Sequence, residues 1–254
     1  MNRLQGKRVV ITGGSGGIGK ATAKLFLDEG ATVLLVDIDE AKLREVASQL
    51  GDRVHYYKAD VSKTEEVQAY ARAAVEKLGG IDVFFNNAGI EGVVKPIVDY
   101  PEEMFHKVLG VNVVGVWLGL KYVMPVMKQN GGGSIIITSS VAGQHGTPNV
   151  SAYVTSKHAV VGLMKVAALE GAADAIRVNS VHPAPVDNRM MRSLEEGFAP
   201  GAGAQAQQQF AQAIPLKRYA QESDVANLVL FLASDESLYL TGGQFVVDGG
   251  QSAM

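Results

Sequence analysis

Tyr153 and Lys157 are the residues whose types and spacing first suggest chemistry. They bracket Tyr153-Val154-Thr155-Ser156-Lys157, and side chains four apart on a helix project from one face toward a shared ligand. A phenol ionises near pH ~10 and is a poor acid or base at neutrality, but a neighbouring ammonium favours its phenolate. The plain alternative is a surface helix pair; of the 8 tyrosines, only Tyr153 has a lysine at this spacing. Ser139 and Ser140 follow the β-branched run Ser134–Thr138. A serine at a strand end is ordinarily a cap. Beside a tyrosine and a lysine, Ser140 is a candidate hydrogen-bond donor to a substrate carbonyl.

A second group lies near the N-terminus, in Thr12-Gly13-Gly14-Ser15-Gly16-Gly17-Ile18-Gly19. Gly13, Gly17 and Gly19 give the spacing G-x-x-x-G-x-G between an apolar run and a helical pattern. Such a turn can take positive φ, brings backbone N–H groups close to a pyrophosphate, and leads into the positive end of a helix. In that context the turn, with Ser15 and Ile18 inside it, reads as a dinucleotide-phosphate site rather than a flexible loop. The next apolar run ends at Asp37, whose carboxylate can accept from both adenosine ribose hydroxyls and would repel a 2′-phosphate. Asp39 is better placed to cap the following helix, which leaves Asp37 free. Neither Gly14 nor Ile38 is basic. The dinucleotide is therefore expected to be NAD rather than NADP, with Asp37 and Ile38 at its adenosine end.

These residues need elements that hold them. Strands are expected over Lys7–Ile11, Thr32–Val36, Val54–Lys58, Asp82–Phe85, Ser134–Thr138, Ile176–Val181 and Gln244–Val247. Helices are expected over Ile18–Glu29, Glu40–Leu50, Lys63–Leu78, about Glu102–Gln129, Ala152–Gly171 and Ser223–Ala233. Continuously apolar strands such as Val33-Leu34-Leu35-Val36 suit a sheet covered on both faces. The alternation predicts an α/β fold, a doubly wound parallel sheet of Rossmann type, over residues 1–254 as a single domain. Asp187–Ile214, rich in Gly, Ala and Gln, is weakly patterned and is expected to be a substrate loop or lid.

Composition narrows the class. The 254 residues are 47% hydrophobic, enough for a sizeable core, and the net charge of -3 does not suggest a nucleic-acid partner. There is no cysteine, so disulfides, thiolate metal sites and thiol chemistry are excluded. His55, His106, His158 and His182 have no metal-ligand spacing, and no catalytic metal is expected. The apolar run Val9-Val10-Ile11 is too short for a signal peptide, and Val113–Leu120 is too short to span a bilayer. A soluble, cytoplasmic protein is expected.

Taken together, the chain resembles the short-chain dehydrogenase/reductase family over nearly its whole length. The matching pieces are Thr12–Gly19, Asp60-Val61, Asn86-Asn87-Ala88-Gly89, Asn112, Ser140, Tyr153 with Lys157, Arg177–Pro183 and Asp248-Gly249-Gly250. Each is weak alone; their order and spacing are specific. The resemblance implies that Asp60 and Val61 hold the adenine and that Asn87, Ala88 and Gly89 line the cofactor cleft and brace the sheet. Tyr153 would be the general acid/base, and Lys157 would bind the nicotinamide ribose and lower the Tyr153 pKa. Ser140 would orient the reacting oxygen. Asn112 would sustain a water relay to Lys157, although its residue type equally suits a buried asparagine satisfied by backbone. Pro183, Val186 and Asn188 would lie at the nicotinamide end. There the chain departs from the pattern, with Ala184 in place of glycine and Asn188 in place of a threonine expected to meet the carboxamide. An asparagine amide keeps a donor and an acceptor but changes the geometry. The family also implies a homotetramer, assembled through Glu102–Gln129 and Ala152–Gly171.

Gln144, His145 and Glu91 could face the substrate, but His145 is equally a loop histidine and Glu91 equally a solvated carboxylate. The resulting expectation is an NAD-dependent oxidoreductase interconverting a secondary alcohol and a ketone, with a lean toward neutral or cyclic substrates. An epimerase or dehydratase using the same Tyr/Lys pair would tend to need a separate substrate domain. A non-catalytic NAD-binding protein would tend to lack the Tyr or the Lys. The cofactor expectation is sharp at one residue: Asp37→Ala or Asp37→Ser should relax discrimination against NADP, measured as the ratio of kcat/KM with the two cofactors. Unchanged selectivity would contradict it.

Overall fold

A computed structural model describes residues 2–254. Its strands are β1 (Arg8–Thr12), β2 (Thr32–Asp37), β3 (Val54–Lys58), β4 (Val83–Asn86), β5 (Gly133–Thr138), β6 (Ile176–Pro183) and β7 (Gln244–Val247). They form one parallel sheet in the order β3-β2-β1-β4-β5-β6-β7. The order reverses between β1 and β4, and the crevice beyond the carboxyl ends of these two strands is where such sheets receive ligands. The doubly wound parallel sheet expected from the alternation is thus present.

The helices are α1 (Gly17–Asp28), α2 (Glu40–Leu50), α3 (Thr64–Leu78), α4 (Glu102–Leu109), α5 (Gly115–Gln129), α6 (Ser151–Gly171), α7 (Arg189–Phe198), α8 (Gly203–Ala213) and α9 (Glu222–Ala233). Strand side chains alternate between the two faces. Val10, Leu34, Phe84, Ile135 and Val178 join a core with Val67, Val116, Val123 and Met164 from α3, α5 and α6. Val9, Ile11, Leu35, Phe85 and Ile136 join the opposite core with Phe26, Leu43, Val225 and Leu230 from α1, α2 and α9. This two-sided burial is what the apolar strands require.

The long helical pattern Glu102–Gln129 is continuous, but between α4 and α5 it passes through a π-helical turn, Gly110–Val114. The whole run is long and apolar enough to cross a membrane by length and composition, unlike the short stretch Val113–Leu120. Here Val116, Leu118, Leu120, Val123 and Met127 bury it against the sheet. Gly119 permits the approach: a Cβ there would stand 2.8 Å from Asn86 Nδ2 and 3.0 Å from the Phe84 ring.

The segment expected to be a loop, Asp187–Ile214, instead carries α7 and α8. Asn188 caps α7 by accepting from the Met191 N–H at 3.2 Å, and Phe198 meets Phe210 edge-on at 5.8 Å between centroids. The expectation rested on the Gly-, Ala- and Gln-rich composition and passed over Met190, Met191, Leu194 and Phe198, which α7 carries at helical spacing. Alanine and glutamine nonetheless have high helix propensity, and Gly203–Ala213 is built largely from them.

Gly119→Ala should lower the unfolding free energy by about 1–3 kcal/mol through overpacking of α5 on β4. Urea denaturation monitored by circular dichroism would measure it; no loss would mean that α5 can move away freely.

Candidate active site

The site is built along the carboxyl edge of the sheet. Thr12 ends β1, and its buried hydroxyl accepts from the N–H of Asn87 at 2.9 Å and of Ala88 at 3.1 Å, just past β4. Asn87 Nδ2 donates to the Thr12 carbonyl at 3.1 Å, and Asn87 Oδ1 accepts from the Thr138 hydroxyl at 3.0 Å. Asn87 and Ala88 therefore brace the sheet, while Gly89 lies near Asn112 and Lys157.

The glycine turn leaves no room for side chains. Gly13 has φ +67°, and a Cβ on it would stand 2.9 Å from Asn87 Nδ2. On Gly19 a Cβ would strike the Gly13 carbonyl, and on Gly14 it would stand 2.8 Å from Leu35 Cβ. The turn opens into α1, which begins at Gly17 with no side-chain cap, so its leading N–H groups face outward. Ile18 packs against the adjoining core.

Asp37 is not free, contrary to expectation. One carboxylate oxygen accepts from the Ser15 N–H at 3.1 Å and the Ser15 hydroxyl at 2.7 Å, and the other from the Ile38 N–H at 2.8 Å. Asp39 does cap α2, accepting from Lys42 N–H at 3.1 Å. Ser15 thus ties the phosphate turn to the carboxylate at the end of β2. Ile38 beside it is exposed. Farther along the edge, Asp60 turns its carboxylate onto Ser62, accepting from the N–H at 2.9 Å and the hydroxyl at 2.7 Å. Val61 is buried and packs on Gly115. These groups fit a nicotinamide dinucleotide: a glycine turn, the head of α1, and a carboxylate held in place at the end of β2.

The catalytic candidates converge beside this cradle. Lys157 is buried, donates to the Thr138 carbonyl at 2.8 Å, and lies 5.5 Å from the Tyr153 ring centroid. Burial pushes Lys157 down to about 8. Burial pushes partly buried Tyr153 up to about 12, against a lowering hydrogen bond from Ser140; the Glu91 carboxylate adds a smaller upward push. The expected lowering of the Tyr153 pKa by Lys157 is not expressed in this geometry, because the ammonium is bonded to Thr138 rather than to the phenol. Ser140 is held in place, donating to the Pro183 carbonyl at 3.3 Å and accepting from Ala142 N–H at 3.1 Å. Ser139 has a structural task, donating to the Lys157 carbonyl at 2.9 Å.

Asn112 sits in the π-helical turn and is buried. Its Oδ1 accepts from Ile90 N–H at 2.8 Å, and its Nδ2 donates to the Ile90 carbonyl at 2.9 Å and the Ser156 hydroxyl at 3.0 Å. Its side chain therefore fastens the segment after β4 to α6 and makes no direct bond to Lys157. At the other end of the edge, Pro183 closes β6. The Val186 side chain is buried in the core on the α1 side, and its backbone pairs with Ala220 as an isolated bridge. Asn188 uses its Oδ1 as the cap of α7, which leaves its amide nitrogen for any carboxamide contact.

Gln144 donates to Gln244 at 3.3 Å, and His145 is exposed. Glu91 is not solvated: its side chain is 8% exposed and receives both Arg189 terminal nitrogens, at 2.9 and 3.2 Å. Arg189 opens α7, so this pair joins the segment after β4 to the α7–α8 unit. Sequence reasoning named Thr12 only as the start of the turn, and it missed Thr138, Ser156 and Arg189, because the roles of all four lie in partners distant along the chain. It also missed His182, whose Nδ1 lies 3.0 Å from the Ser140 carbonyl and whose Nε2 lies 2.8 Å from the Ser180 hydroxyl.

Fold and site together define a nucleotide-binding oxidoreductase. A family model described as enoyl-(acyl carrier protein) reductase matches residues 13–252. Levodione reductase of Leifsonia aquatica is 39% identical over 99% of this chain and 96% of its own. Cyclohexanol dehydrogenase of Acinetobacter sp. (strain SE19) is 36% identical, covering 99% and 97%. The crystal structure of NAD+-bound xylitol dehydrogenase superposes with a TM-score of 0.92 at 33% identity, covering 97% of this chain and 99% of that one. The chain belongs to the short-chain dehydrogenase/reductase family.

The depressed Lys157 pKa has a measurable sign. Between its folded value of about 8 and its unfolded value near ~10.4, the unfolded chain binds the proton and the folded chain does not, so stability rises with pH. Without added cofactor, wild-type stability minus that of Lys157→Met should increase by about 2 kcal/mol from roughly pH 7.5 to 9.5. This window lies below the ionisation of Tyr153. Parallel pH dependences in urea titrations would refute the assignment.

Proposed function

We propose that this protein interconverts neutral secondary alcohols and ketones with NAD(H). The observation that carries the reading is the meeting of Ser140, Tyr153 and Lys157 beside the glycine turn at the carboxyl edge of the sheet. A bound nicotinamide supplies or accepts the hydride. Tyr153 gives its phenolic proton to the carbonyl oxygen in reduction and takes it back in oxidation. Ser140, anchored between Pro183 and Ala142, orients that oxygen. Lys157 holds the nicotinamide ribose and, once it shares its proton with the bound ligand, favours the phenolate. Asn112 serves by positioning: it pins Ile90 and Ser156 around the lysine.

The preference for NAD is supported by Asp37, pre-oriented by Ser15, with uncharged Ile38 beside it. A similar chain, xylitol dehydrogenase, has been crystallised with NAD+. A neutral substrate is supported by Glu91, whose carboxylate already acts on Tyr153 and which is paired with Arg189. An anion entering there would meet a like charge. Relatives named for levodione and cyclohexanol agree with a cyclic ketone or alcohol. The α7–α8 unit covers the substrate, and residues 1–254 act as a single domain. The exposed Val114, Trp117, Val166 and Leu169 on the π turn, α5 and α6 support assembly into a homotetramer.

Tyr153→Phe should lower kcat for cyclohexanol oxidation by about 10²–10⁴-fold, while NADH fluorescence titration shows binding retained. Unchanged turnover would overturn the reading.

A further inference from the structure

The heads of α1 and α9 lie together at the carboxyl edge of the sheet, and one side chain bridges them. Glu222, the first residue of α9, extends across to Gly17, the first residue of α1. One of its carboxylate oxygens takes the place that a Cβ on Gly17 would occupy, and the other lies 3.1 Å from that place. An anion is thus already seated at the mouth of the turn that reads as the diphosphate cradle. Both helix heads favour it there.

The neighbouring carboxylates are each held. Asp37 is bonded to Ser15, Asp187 to Arg192 at 2.7 Å, Glu195 to Arg192 at 2.8 Å, and Asp224 to Arg218 at 2.7 Å. Among the described residues, no cation comes within salt-bridge distance of Glu222. Lys20, one turn along α1, is the cation that acts on it, but its ammonium is bonded to Gln49 at 2.7 Å. Burial and the nearby Asp187 charge both disfavour the ionised carboxylate. Glu222 is therefore a half-buried carboxylate with no locking partner, next to a second acid.

We propose that Glu222 is a counter-ligand to the cofactor's diphosphate: it occupies the head of α1 when the cofactor is away, must swing aside on binding, and weakens cofactor affinity through like charge. The proposal rests on the dinucleotide reading of the turn. Its consequence is a cofactor that leaves more readily after each turnover, the step that limits many enzymes of well-developed chemistry.

The test is equilibrium binding of ADP-ribose, which carries the diphosphate but no nicotinamide, to the wild type, Glu222→Gln and Glu222→Ala. Two unit charges ~4 Å apart in water interact by about 1 kcal/mol, so both variants should bind ADP-ribose roughly fivefold more tightly. The gain should shrink at about 1 M salt. Binding of adenosine, which has no phosphate, should be the same in all three proteins. Thermal unfolding verifies that the variants are folded; Glu222→Gln keeps the side-chain shape. Equal or weaker ADP-ribose binding by folded variants overturns the proposal and leaves the dinucleotide reading standing. If the wild type binds neither ADP-ribose, NAD(H) nor NADP(H), the dinucleotide reading itself fails.

Discussion

Asn87 spans the gap between the ends of β1 and β5, and the placement of Lys157 beside them depends on that span. Its amide nitrogen donates to Thr12 and its amide oxygen accepts from Thr138. The carbonyl of the same Thr138 holds the Lys157 ammonium. The Thr12 hydroxyl, in turn, takes two backbone N–H groups from the start of the segment after β4. A single hydrogen-bonded path therefore runs from the end of β1, where the glycine turn begins, to Lys157. Each such bond contributes only about 1 kcal/mol net, but losing one partner strands another polar group in a largely buried place. Position rather than strength is the gain: the turn, the cleft floor and the lysine keep one level.

Burial acts in opposite directions on the two central groups. It favours neutral Lys157 and neutral Tyr153 alike, which lowers one pKa and raises the other. The two values move apart, so burial favours the neutral pair, and passing a proton from the phenol to the amine costs more than between an ordinary phenol and an ordinary lysine in water. Ser140 works the other way on Tyr153 by hydrogen bonding to its hydroxyl. The same low polarity makes Glu91 consequential. A carboxylate buried this far needs a partner, and Arg189 answers with a two-point contact. Because Arg189 starts α7, the same ion pair ties the segment after β4 to α7. Asn188, immediately before it, fixes the direction in which α7 leaves the sheet.

Much of this was legible in the chain. Apolar runs gave seven strands, with ends displaced by a residue or two where the last residue of a strand is polar, as at Thr12 and Asp37. The parallel order followed from alternation with helices. The α7–α8 unit was passed over because glycine, alanine and glutamine dominate the segment, although Met190, Met191, Leu194 and Phe198 stand at helical spacing in α7. Asp37 was rightly placed but wrongly considered free, because Ser15 lies on a different element. Val186, expected at the cofactor from the resemblance, has a side chain that belongs to the core on the α1 side, which residue type alone did not reveal.

The sequence by itself determined which chemistry is available: glycines in a turn between β1 and α1, an acid at the end of β2, and a tyrosine and lysine on one helix face. Those depend on residue type and local period, which are printed in the chain. The tertiary structure decided what each group touches. Asn112 became a clamp on Ile90 and Ser156, Glu91 became the partner of Arg189, and Glu222 came to rest on Gly17, from which it is separated by most of the chain. Hydrogen bonds and ion pairs act over a few ångströms in space, whatever the distance along the backbone, so only the folded arrangement brings these partners together.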